Sequence, residues 1–242
     1  MKLIQLNTWA GMVYKPLIKF IKENNDTDIF CFQEVTNGEE LAEHVKTGNK
    51  ELLKNLTKIL PKYSFYYSPL ITNEVGLTIF IKKEIKVEKF SENFVFRWYN
   101  AQVDKDISTI GRCAQLIEFK HNKNIYSVLN FHGLWNGKGK WDTKDRLLQS
   151  KNLKKVMNQA KGKVILCGDF NLMPETKSIK ILEKGMRNLI MDYKIKDTRG
   201  ELYKKELRFA DYILVSPNVK VLDFKVLPES VSDHLPLYLE FE

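Results

Sequence analysis

The spacing of apolar and polar residues predicts a chain that mixes strands and helices in both halves. Short apolar or alternating runs predict strands over 2–6, 28–32, 63–67, 76–81, 85–90, 112–119, 125–131, 164–167, 209–215, 219–226 and 235–241. Apolar residues three and four positions apart predict helices over 13–25, 143–159 and 176–184, and helical segments within 39–60. Thr143 is the expected N-cap of the second of these helices. The aromatic stretch 91–110 is expected to be an irregular surface loop.

This pattern predicts an α/β domain in which two sheets pack face to face and helices cover the outside. The 242 residues contain no repeat, no low-complexity tract and no Pro/Gly-rich linker. A chain of this length fits within one domain. We therefore expect a single domain over residues 1–242.

Polar residues stand at the ends of six predicted strands: Asn7, Glu34, His132, Asp169 with Asn171, Asp211, and Asp233 with His234. Each alone has an ordinary interpretation as a turn residue, a surface carboxylate or a hydrogen-bonded histidine. Ligands in layered α/β folds gather at the carboxyl ends of strands, which is where we expect these residues to lie. Clustered carboxylates also need a metal, a proton or a cation to relieve their repulsion.

The stretch from Val164 to Pro174 is the centre of this pattern. Four apolar residues precede Gly168, and Asp169 and Asn171 follow it. If the chain leaves the sheet extended, Asp169 and Asn171 point to one side, and Phe170 and Leu172 turn back to the core. The alternative is a simple strand-end turn, because Gly, Asp and Asn are common turn residues.

These residue types suit hydrolysis of a phosphate ester. Mg²⁺ prefers one or two carboxylates together with waters, and Glu34 and Asp233 could supply them, with Asn7 as a neutral oxygen ligand. Asp169 could activate a water, while Asn171 and a histidine could donate to phosphate oxygens. A histidine needs an orienting carboxylate. Asp211 is the candidate for His234, and Glu74 is the candidate for His132.

Composition indicates the partner and the compartment. Lys and Arg outnumber Asp and Glu by 39 to 30, a net charge of +9. The excess favours nucleic acid first and an anionic membrane second, although lysines over 150–163 are also typical of a solvated helix face. Three cysteines in apolar runs suggest buried thiols. No apolar run is long enough for a membrane span, and the N-terminus does not resemble a signal peptide. We expect a cytoplasmic protein, with a monomer favoured.

Two arginines and one loop are candidates for substrate contact. Arg112 and Arg146 could each hold a phosphate, or could form surface salt bridges. The loop 134–142 interleaves aromatic and basic residues on what is expected to be a flexible segment, which suits stacking on bases and contact with phosphates. The alternative is that its aromatic rings only anchor the loop. The candidates in the loop are Trp135, Lys138, Lys140 and Trp141.

Six short motifs occur in a set order: LNTWAG, FQEV, NFHG, GDFNLMP, RFADYILVS and SDHLPL. In this order they resemble the motif series of the endonuclease/exonuclease/phosphatase superfamily, which includes deoxyribonuclease I and exonuclease III types. The resemblance implies a four-layer α/β sandwich of two mixed, mainly antiparallel sheets with helices outside. It also implies Mg²⁺ or Mn²⁺ as cofactor and in-line attack of water on phosphorus.

By motif position the resemblance assigns roles to individual residues. Asn7 and Glu34 would carry the metal with help from Asp233. Asp169 and Asn171 would align the nucleophile and the phosphate. His234 would stabilise the transition state and Asp211 would orient it. His132 in NFHG points to the two-histidine branch, which resembles deoxyribonuclease I, the deadenylases and the tyrosyl-DNA phosphodiesterases.

The function predicted from all this is Mg²⁺-dependent hydrolysis of a nucleic-acid phosphodiester, with DNA favoured over RNA. The alternative is a phosphatase or phosphodiesterase of a small or lipid phosphate ester. A third hypothesis, a binding module without activity, is disfavoured because such a module has no physical need to keep opposing carboxylates together.

Overall fold

The computed structural model describes residues 1–38, 48–71, 75–97 and 110–242. Its strands are β1 Lys2–Asn7, β2 Ile29–Thr36, β3 Tyr63–Ile71, β4 Val75–Lys82, β5 Val87–Phe96, β6 Arg112–His121, β7 Asn124–His132, β8 Lys163–Asp169, β9 Arg187–Asn188, β10 Asp211–Val215, β11 Val221–Val226 and β12 Leu237–Phe241. Its α-helices are α1 Tyr14–Glu23, α2 Leu52–Ile59, α3 Lys144–Gln159, α4 Lys177–Glu183 and α5 Leu189–Asp192.

The strands form two six-stranded sheets. The first has the order β11-β12-β1-β2-β4-β3 and the second the order β5-β6-β7-β8-β10-β9. Each contains one parallel pair, β1 with β2 and β7 with β8, and the other strand pairs are antiparallel. Each parallel pair is joined by a crossover helix, α1 or α3, as parallel strands require. The predicted mixed, mainly antiparallel architecture is confirmed.

Alternation along the strands creates the layers. In β1, Leu3 belongs to the core between the sheets, whereas Ile4 and Leu6 pack with α1 and α2 on the outer face. On the far side, α3 and α4 cover the second sheet with buried residues such as Leu153 and Ile179. Strand side chains point to opposite faces in turn, so a strand covered on both faces is apolar throughout. The result is the expected order of helix, sheet, sheet, helix.

The layer between the sheets changes in character toward one rim. Away from the rim this layer is filled by apolar residues. Nearer the rim they are replaced by a network of fully buried side-chain amides. Gln33 Nε2 donates to Asn130 Oδ1 at 2.6 Å, and Asn130 Nδ2 donates to Gln115 Oε1 at 3.1 Å. Gln5 Nε2 joins the chain by donating to Gln33 Oε1 at 2.7 Å. Buried polar groups are tolerated when they satisfy one another, so this network forms a polar floor beneath the rim.

Local expectations mostly hold, with some differences. Helix α1 lies within the predicted 13–25, and Thr143 caps α3 by accepting from the Arg146 backbone N–H. The three cysteines are buried free thiols. Residues 91–96 were expected to be a loop but continue β5, because all of them except Val95 have a register partner in β6. The rest of that predicted loop, 98–109, lies outside the described residues, as does 39–47.

Candidate active site

The two parallel strand pairs deliver four candidate residues to one rim. Asn7 ends β1, Glu34 lies near the end of β2, His132 ends β7, and Asp169 ends β8. His132 and Asp169 are direct neighbours in the parallel register. The carboxyl ends of parallel neighbours meet at one edge, so this part of the expectation is confirmed.

Asp211 reaches the rim in the opposite way. It begins β10 rather than ending a strand, and its antiparallel register places it beside Asp169. Asp233 and His234 likewise precede β12. The expectation that all six positions are carboxyl ends was wrong for these residues, because in an antiparallel pair the start of one strand lies beside the end of the other.

Glu34 occupies a β-bulge. The register between β2 and β4 shifts between Phe32 and Val35, and Glu34 has a φ of 55°. The Thr8 hydroxyl contacts the carbonyls of both Gln33 and Glu34 at 2.9 Å, which holds the bulge. A non-glycine residue in the left-handed region costs free energy, and bulges re-aim side chains near functional sites. Here the bulge turns the Glu34 carboxylate toward the rim.

The stretch after β8 is both a turn and part of the site. Gly168 has a φ of 145°, and a Cβ there would lie 1.8 Å from the Phe131 carbonyl oxygen, so only glycine fits. Asp169 Oδ1 accepts from the Asn171 N–H at 2.9 Å, and Asn171 has a φ of 53°. Phe170 is fully buried, as expected. The extended exit was therefore wrong, because the carboxylate folds the next residues into an Asx-type turn.

At the centre, one amide bridges two carboxylates. Asn7 Nδ2 donates to Glu34 Oε1 at 2.9 Å and to Asp169 Oδ2 at 3.0 Å. His132 Nε2 lies 3.7 Å from each of these two oxygens. His234 Nε2 approaches Asp169 Oδ2 from the other side, at 3.5 Å. The five side chains Asn7, Glu34, His132, Asp169 and His234 thus surround one small space.

Asp211 lies in hydrogen-bonding contact with His234, the partner that the sequence suggested for it. The Nδ1 atom of His234 lies 2.8 Å from Asp211 Oδ2, and Thr198 Oγ1 donates to the same oxygen at 3.2 Å. Gln5 Nε2 donates to the other oxygen, Oδ1, at 3.1 Å. With both oxygens occupied, Asp211 holds the imidazole so that Nε2 faces Asp169. Gln5 connects this pair to the buried amide network.

The two rim carboxylates titrate differently. Burial raises the pKa of Glu34, and the charges of Asp233 and Asp169 add to this rise. Burial also acts to raise the pKa of Asp169, but attraction to His234 and His132 outweighs it and holds the pKa below its ordinary value. Asp169 therefore stays ionised at neutral pH and can accept a hydrogen bond from a water.

The two histidines also differ. Burial lowers the pKa of His132 to about 3, so its ring is neutral at pH 7. Burial and Arg199 act to lower the pKa of His234, but Asp211, Asp233 and Asp169 outweigh them and raise it above its ordinary value. A neutral imidazole and one whose pKa is raised therefore face the same space, so His234 carries a proton to higher pH than His132 does.

The donor set fits a hard divalent cation. Glu34, His132 and Asp169 each place a possible ligand atom within 4.8 Å of the others. Asp233 Oδ1 is buried and has no hydrogen-bond partner among the described residues. A divalent ion such as Mg²⁺ or Mn²⁺ would bind the two carboxylates, and it would also give Asp233 Oδ1 a partner. A second grouping, Asp169 with Asp211 and His234, is less suited because Asp211 and His234 already bond to each other.

Two arginines line the cavity above this cluster. Arg112 is 5% exposed, and its Nε has no hydrogen-bond partner among the described residues. Burial lowers its pKa to about 10, so it remains charged at neutral pH. Arg199 was not predicted; its Nη1 donates to Asp233 Oδ2 at 2.7 Å. Arg199, Tyr203 and Lys205 all lie within 185–207, where the sequence has no clear periodicity.

Arg146 has a different role from the one predicted. Its side chain is fully buried, and it donates to the carbonyls of Leu134, Trp141 and Gly139 at 3.3, 2.6 and 2.7 Å. The side chain has no exposed surface and does not line the cavity, so it offers no face to a phosphate. Arg146 instead holds three carbonyls of the 134–142 loop.

The loop residues divide into two groups. Trp135 and Lys140 line the cavity, whereas Lys138 and Trp141 are exposed and do not line it. Lys140 is 1% exposed, and its Nζ donates to the carbonyls of Leu207 and Phe209 at 2.9 and 2.7 Å. Lys140 therefore ties the loop to the next segment. Glu74, the expected support of His132, lies outside the described residues.

The cavity has a volume of about 350 Å³. The rim carboxylates and histidines lie on one side of it, and basic and aromatic residues form its wall. The residues that line it are Trp9, Glu34, Leu70, Val75, Ile110, Arg112, His132, Trp135, Lys140, Asp169, Asn171, Arg199, Tyr203, Lys205, Asp233 and His234. This volume lies near the lower end of those found for small-molecule sites.

Among the described residues, no helix is long and apolar enough to cross a membrane.

Comparison with known proteins supports the motif reading. The model of the family described as endonuclease/exonuclease/phosphatase matches residues 4–234. No curated protein sequence matches the chain.

Solved structures of the same fold are similar over the whole chain. A mannosyl-6-phosphatase from Bacteroides thetaiotaomicron is 18% identical with a TM-score of 0.74, covering 100% of this chain and 99% of that one. A family protein from Leptotrichia buccalis is 20% identical with a TM-score of 0.74 and the same coverages. ANGEL2, a 2′,3′-cyclic phosphatase, is 15% identical with a TM-score of 0.72, covering 99% of this chain and 94% of that one.

Proposed function

This chain belongs to the endonuclease/exonuclease/phosphatase family, and from that premise we propose that it hydrolyses a nucleic-acid phosphodiester in a divalent-metal-dependent reaction. The observation that carries the proposal is the convergence of Glu34, His132 and Asp169 at one rim, with His234 opposite. A phosphoester hydrolase needs a base to activate a water and donors for the phosphoryl oxygens, and this cluster contains side chains suited to both roles.

The residues divide the work as follows. Asp169 is ionised and accepts the proton of the water that attacks phosphorus. Asn171 Nδ2 donates one hydrogen bond to the Gly133 carbonyl at 3.3 Å, and its second N–H would donate to a phosphoryl oxygen. His234 is held by Asp211 and donates a charged hydrogen bond as negative charge develops. His132 donates a hydrogen bond to the phosphate as a neutral ring. Arg112 holds a non-bridging oxygen of the same phosphate.

Glu34 and Asp233 would hold Mg²⁺ or Mn²⁺, with Asn7 beside them. When bound, such an ion supplies Lewis-acid polarisation of the phosphate and lowers the pKa of a bound water. In the described contacts Asn7 Oδ1 accepts from the Trp9 N–H, and its Nδ2 faces the carboxylates. Asn7 would therefore serve the ion best by positioning Glu34, or through Oδ1 if the amide rotates.

Nucleic acid is supported by the net charge of +9 and by the two tryptophans of the cavity wall, Trp9 and Trp135. Indole rings stack on bases, and clustered cations follow the phosphate backbone. DNA remains the favoured polymer. A small phosphate ester is the second candidate, and the cavity volume of about 350 Å³ favours it, because a pocket of this size holds one ligand of metabolite size.

A substrate panel tests both candidates. Single- and double-stranded DNA, RNA, sugar phosphates and nucleotides would be incubated with the protein in Mg²⁺, in Mn²⁺ and in EDTA. We expect cleavage of nucleic acid in metal and none in EDTA. The Asp169→Asn variant should retain its fold by circular dichroism and lose at least about a hundredfold in rate, the range for a removed general base. Turnover of sugar phosphates alone would favour the second candidate, and no turnover of any ester would refute the proposal.

A further inference from the structure

We propose that Arg199 and Lys205, with the rings of Tyr203 and Trp135, form a subsite for a second phosphate group of the substrate. This subsite lies beside the reaction centre and is separate from the contacts of the phosphate that is cleaved. The inference rests on the proposed function, because it takes Asp169 and His132 as the place where the ester bond breaks.

The segment 198–208 that carries this subsite is fastened to the reaction centre. Arg199 forms an isolated antiparallel bridge with His234, and the Gly200 N–H donates to the Asp233 carbonyl at 3.1 Å. Arg208 closes the segment from behind through hydrogen bonds to the carbonyls of Arg199 and Gly200. Side chains on this turn therefore keep a fixed distance from the catalytic histidine.

Arg199 has donors left for a ligand. Its side chain is 5% exposed, and it lies 4.3 Å from the centroid of the Tyr203 ring. One Nη is bonded to Asp233, while Nε is buried without a hydrogen-bond partner among the described residues. A buried guanidinium donor without an acceptor is costly, and a phosphate oxygen in the cavity would supply that acceptor.

Lys205 brings a second positive charge to the same wall. It lines the cavity, and its Nζ lies 5.2 Å from the centroid of the Trp135 ring. No salt bridge joins it to a carboxylate among the described residues. Lys140 is nearby, but its amine already donates to two carbonyls and faces the Tyr203 ring. Apart from the Trp135 ring, the Lys205 amine therefore has no carboxylate or hydrogen-bond partner within the described part of the chain.

The sheet order separates the two arginines. Arg112 begins β6, which lies beyond β7 on one side of the Asp169 strand. Arg199 pairs with His234 on the other side, where β10 borders β8. A single phosphate at Asp169 and His132 that is held by Arg112 leaves Lys205 without an anion. A substrate with a second phosphate satisfies both sides at once, and Trp135 offers a ring face for the part that links them.

Two chromogenic substrates with the same scissile ester test the subsite. Thymidine 5′-(4-nitrophenyl phosphate) lacks the second phosphate, and its 3′-phosphorylated derivative carries it. We expect kcat/KM for the derivative to be about tenfold higher in the wild-type protein, in line with one charged hydrogen bond. Lys205→Ala should abolish this preference, so that kcat/KM becomes about the same for the two substrates. Lys204→Ala, a change at the exposed neighbouring lysine that does not line the cavity, is the matched control and should keep the preference.

A binding measurement keeps the subsite separate from catalysis. In the Asp169→Asn background, quenching of tryptophan fluorescence would report the affinity for adenosine 3′,5′-bisphosphate and for adenosine 5′-monophosphate. Tighter binding of the bisphosphate that disappears with Lys205→Ala supports the subsite. Equal binding of the two nucleotides, or a preference that survives Lys205→Ala, overturns it. If neither chromogenic substrate is cleaved, the substrate panel decides the proposed function, and the binding result still decides the subsite.

The second phosphate has two possible sources with the same chemistry, a small bisphosphate or the next phosphate of a nucleic-acid chain. A tetrathymidylate in the binding series separates them. Tighter binding of the tetranucleotide than of the bisphosphate assigns the subsite to a chain, whereas weaker binding assigns it to a small bisphosphate. Either result depends on Lys205 if the subsite is correct.

Discussion

Replacing Arg146 tests the view that this arginine builds the cavity wall and does not touch substrate. Arg146→Met keeps much of the side-chain volume but removes three hydrogen bonds to the carbonyls of Leu134, Gly139 and Trp141. Hydrogen bonds to a charged group contribute about 1.5–3 kcal/mol each. The relief of a buried charge offsets part of this loss, since burial already lowers the pKa of Arg146.

We therefore expect Arg146→Met to lower the free energy of unfolding by about 3 kcal/mol, which is the sum at about 1.5 kcal/mol for each of the three bonds less the relief of the buried charge. For a domain of this length each kcal/mol shifts Tm by about 2–4 °C, so Tm should fall by about 6–12 °C. Arg146→Lys should also lower the free energy of unfolding. It keeps the positive charge, but its ammonium group cannot reach three carbonyls that lie in a plane. Urea denaturation and calorimetry measure both variants.

Lys151→Met is the matched control, since Lys151 is an exposed residue of the same helix. It should leave Tm nearly unchanged. If Arg146→Met instead keeps the wild-type Tm and raises KM for the substrate, the reasoning fails, and the phosphate contact suggested by the sequence would be the better account.

Two further predictions concern the catalytic pair and the turn beside it. Asp211→Asn should lower the pKa of His234, because burial lowers that pKa and the carboxylate of Asp211 helps to raise it. The protonated donor is then lost at a lower pH, so the alkaline limb of the kcat/KM profile should move to lower pH; an unmoved limb would contradict this. Gly168→Ala should destabilise the fold by about 3 kcal/mol or more, because its Cβ would meet the Phe131 carbonyl. Gly185→Ala, also at positive φ but with open space, should cost only about 1 kcal/mol in the same urea titration.

The pattern of apolar residues along the chain was sufficient to predict the layers of this protein. Each of β1, β2, β7 and β8 is apolar on both faces, and that pattern requires cover on both sides. The polar residues that interrupt these strands, such as Asn7 and Asp169, mark the rim because a buried strand cannot carry them without partners. Their identity also indicates phosphate chemistry, since carboxylates, amides and histidines are what a metal and a phosphoryl group need.

Strand direction, by contrast, could be decided only in three dimensions. Asp211 and Asp169 lie side by side because β10 runs antiparallel to β8. The predicted strand 235–241 already places Asp233 and His234 before a strand, but which strand start lies beside which strand end depends on how the strands pair. The bulge that turns Glu34 to the rim is also invisible in the pattern, because it depends on pairing with β4.

The same limit explains the side chains whose roles changed. Arg146 follows an aromatic and basic loop and so looked suited to phosphate, but its guanidinium meets three carbonyls that only the folded loop brings together. Arg199 lies in a stretch without periodicity and became part of the cavity through its bridge to His234. The sequence by itself determined the layers, the rim and the kind of chemistry, because these follow from local periodicity and residue type. Tertiary structure decided which charged groups face the cavity, because that depends on partners far apart in the chain.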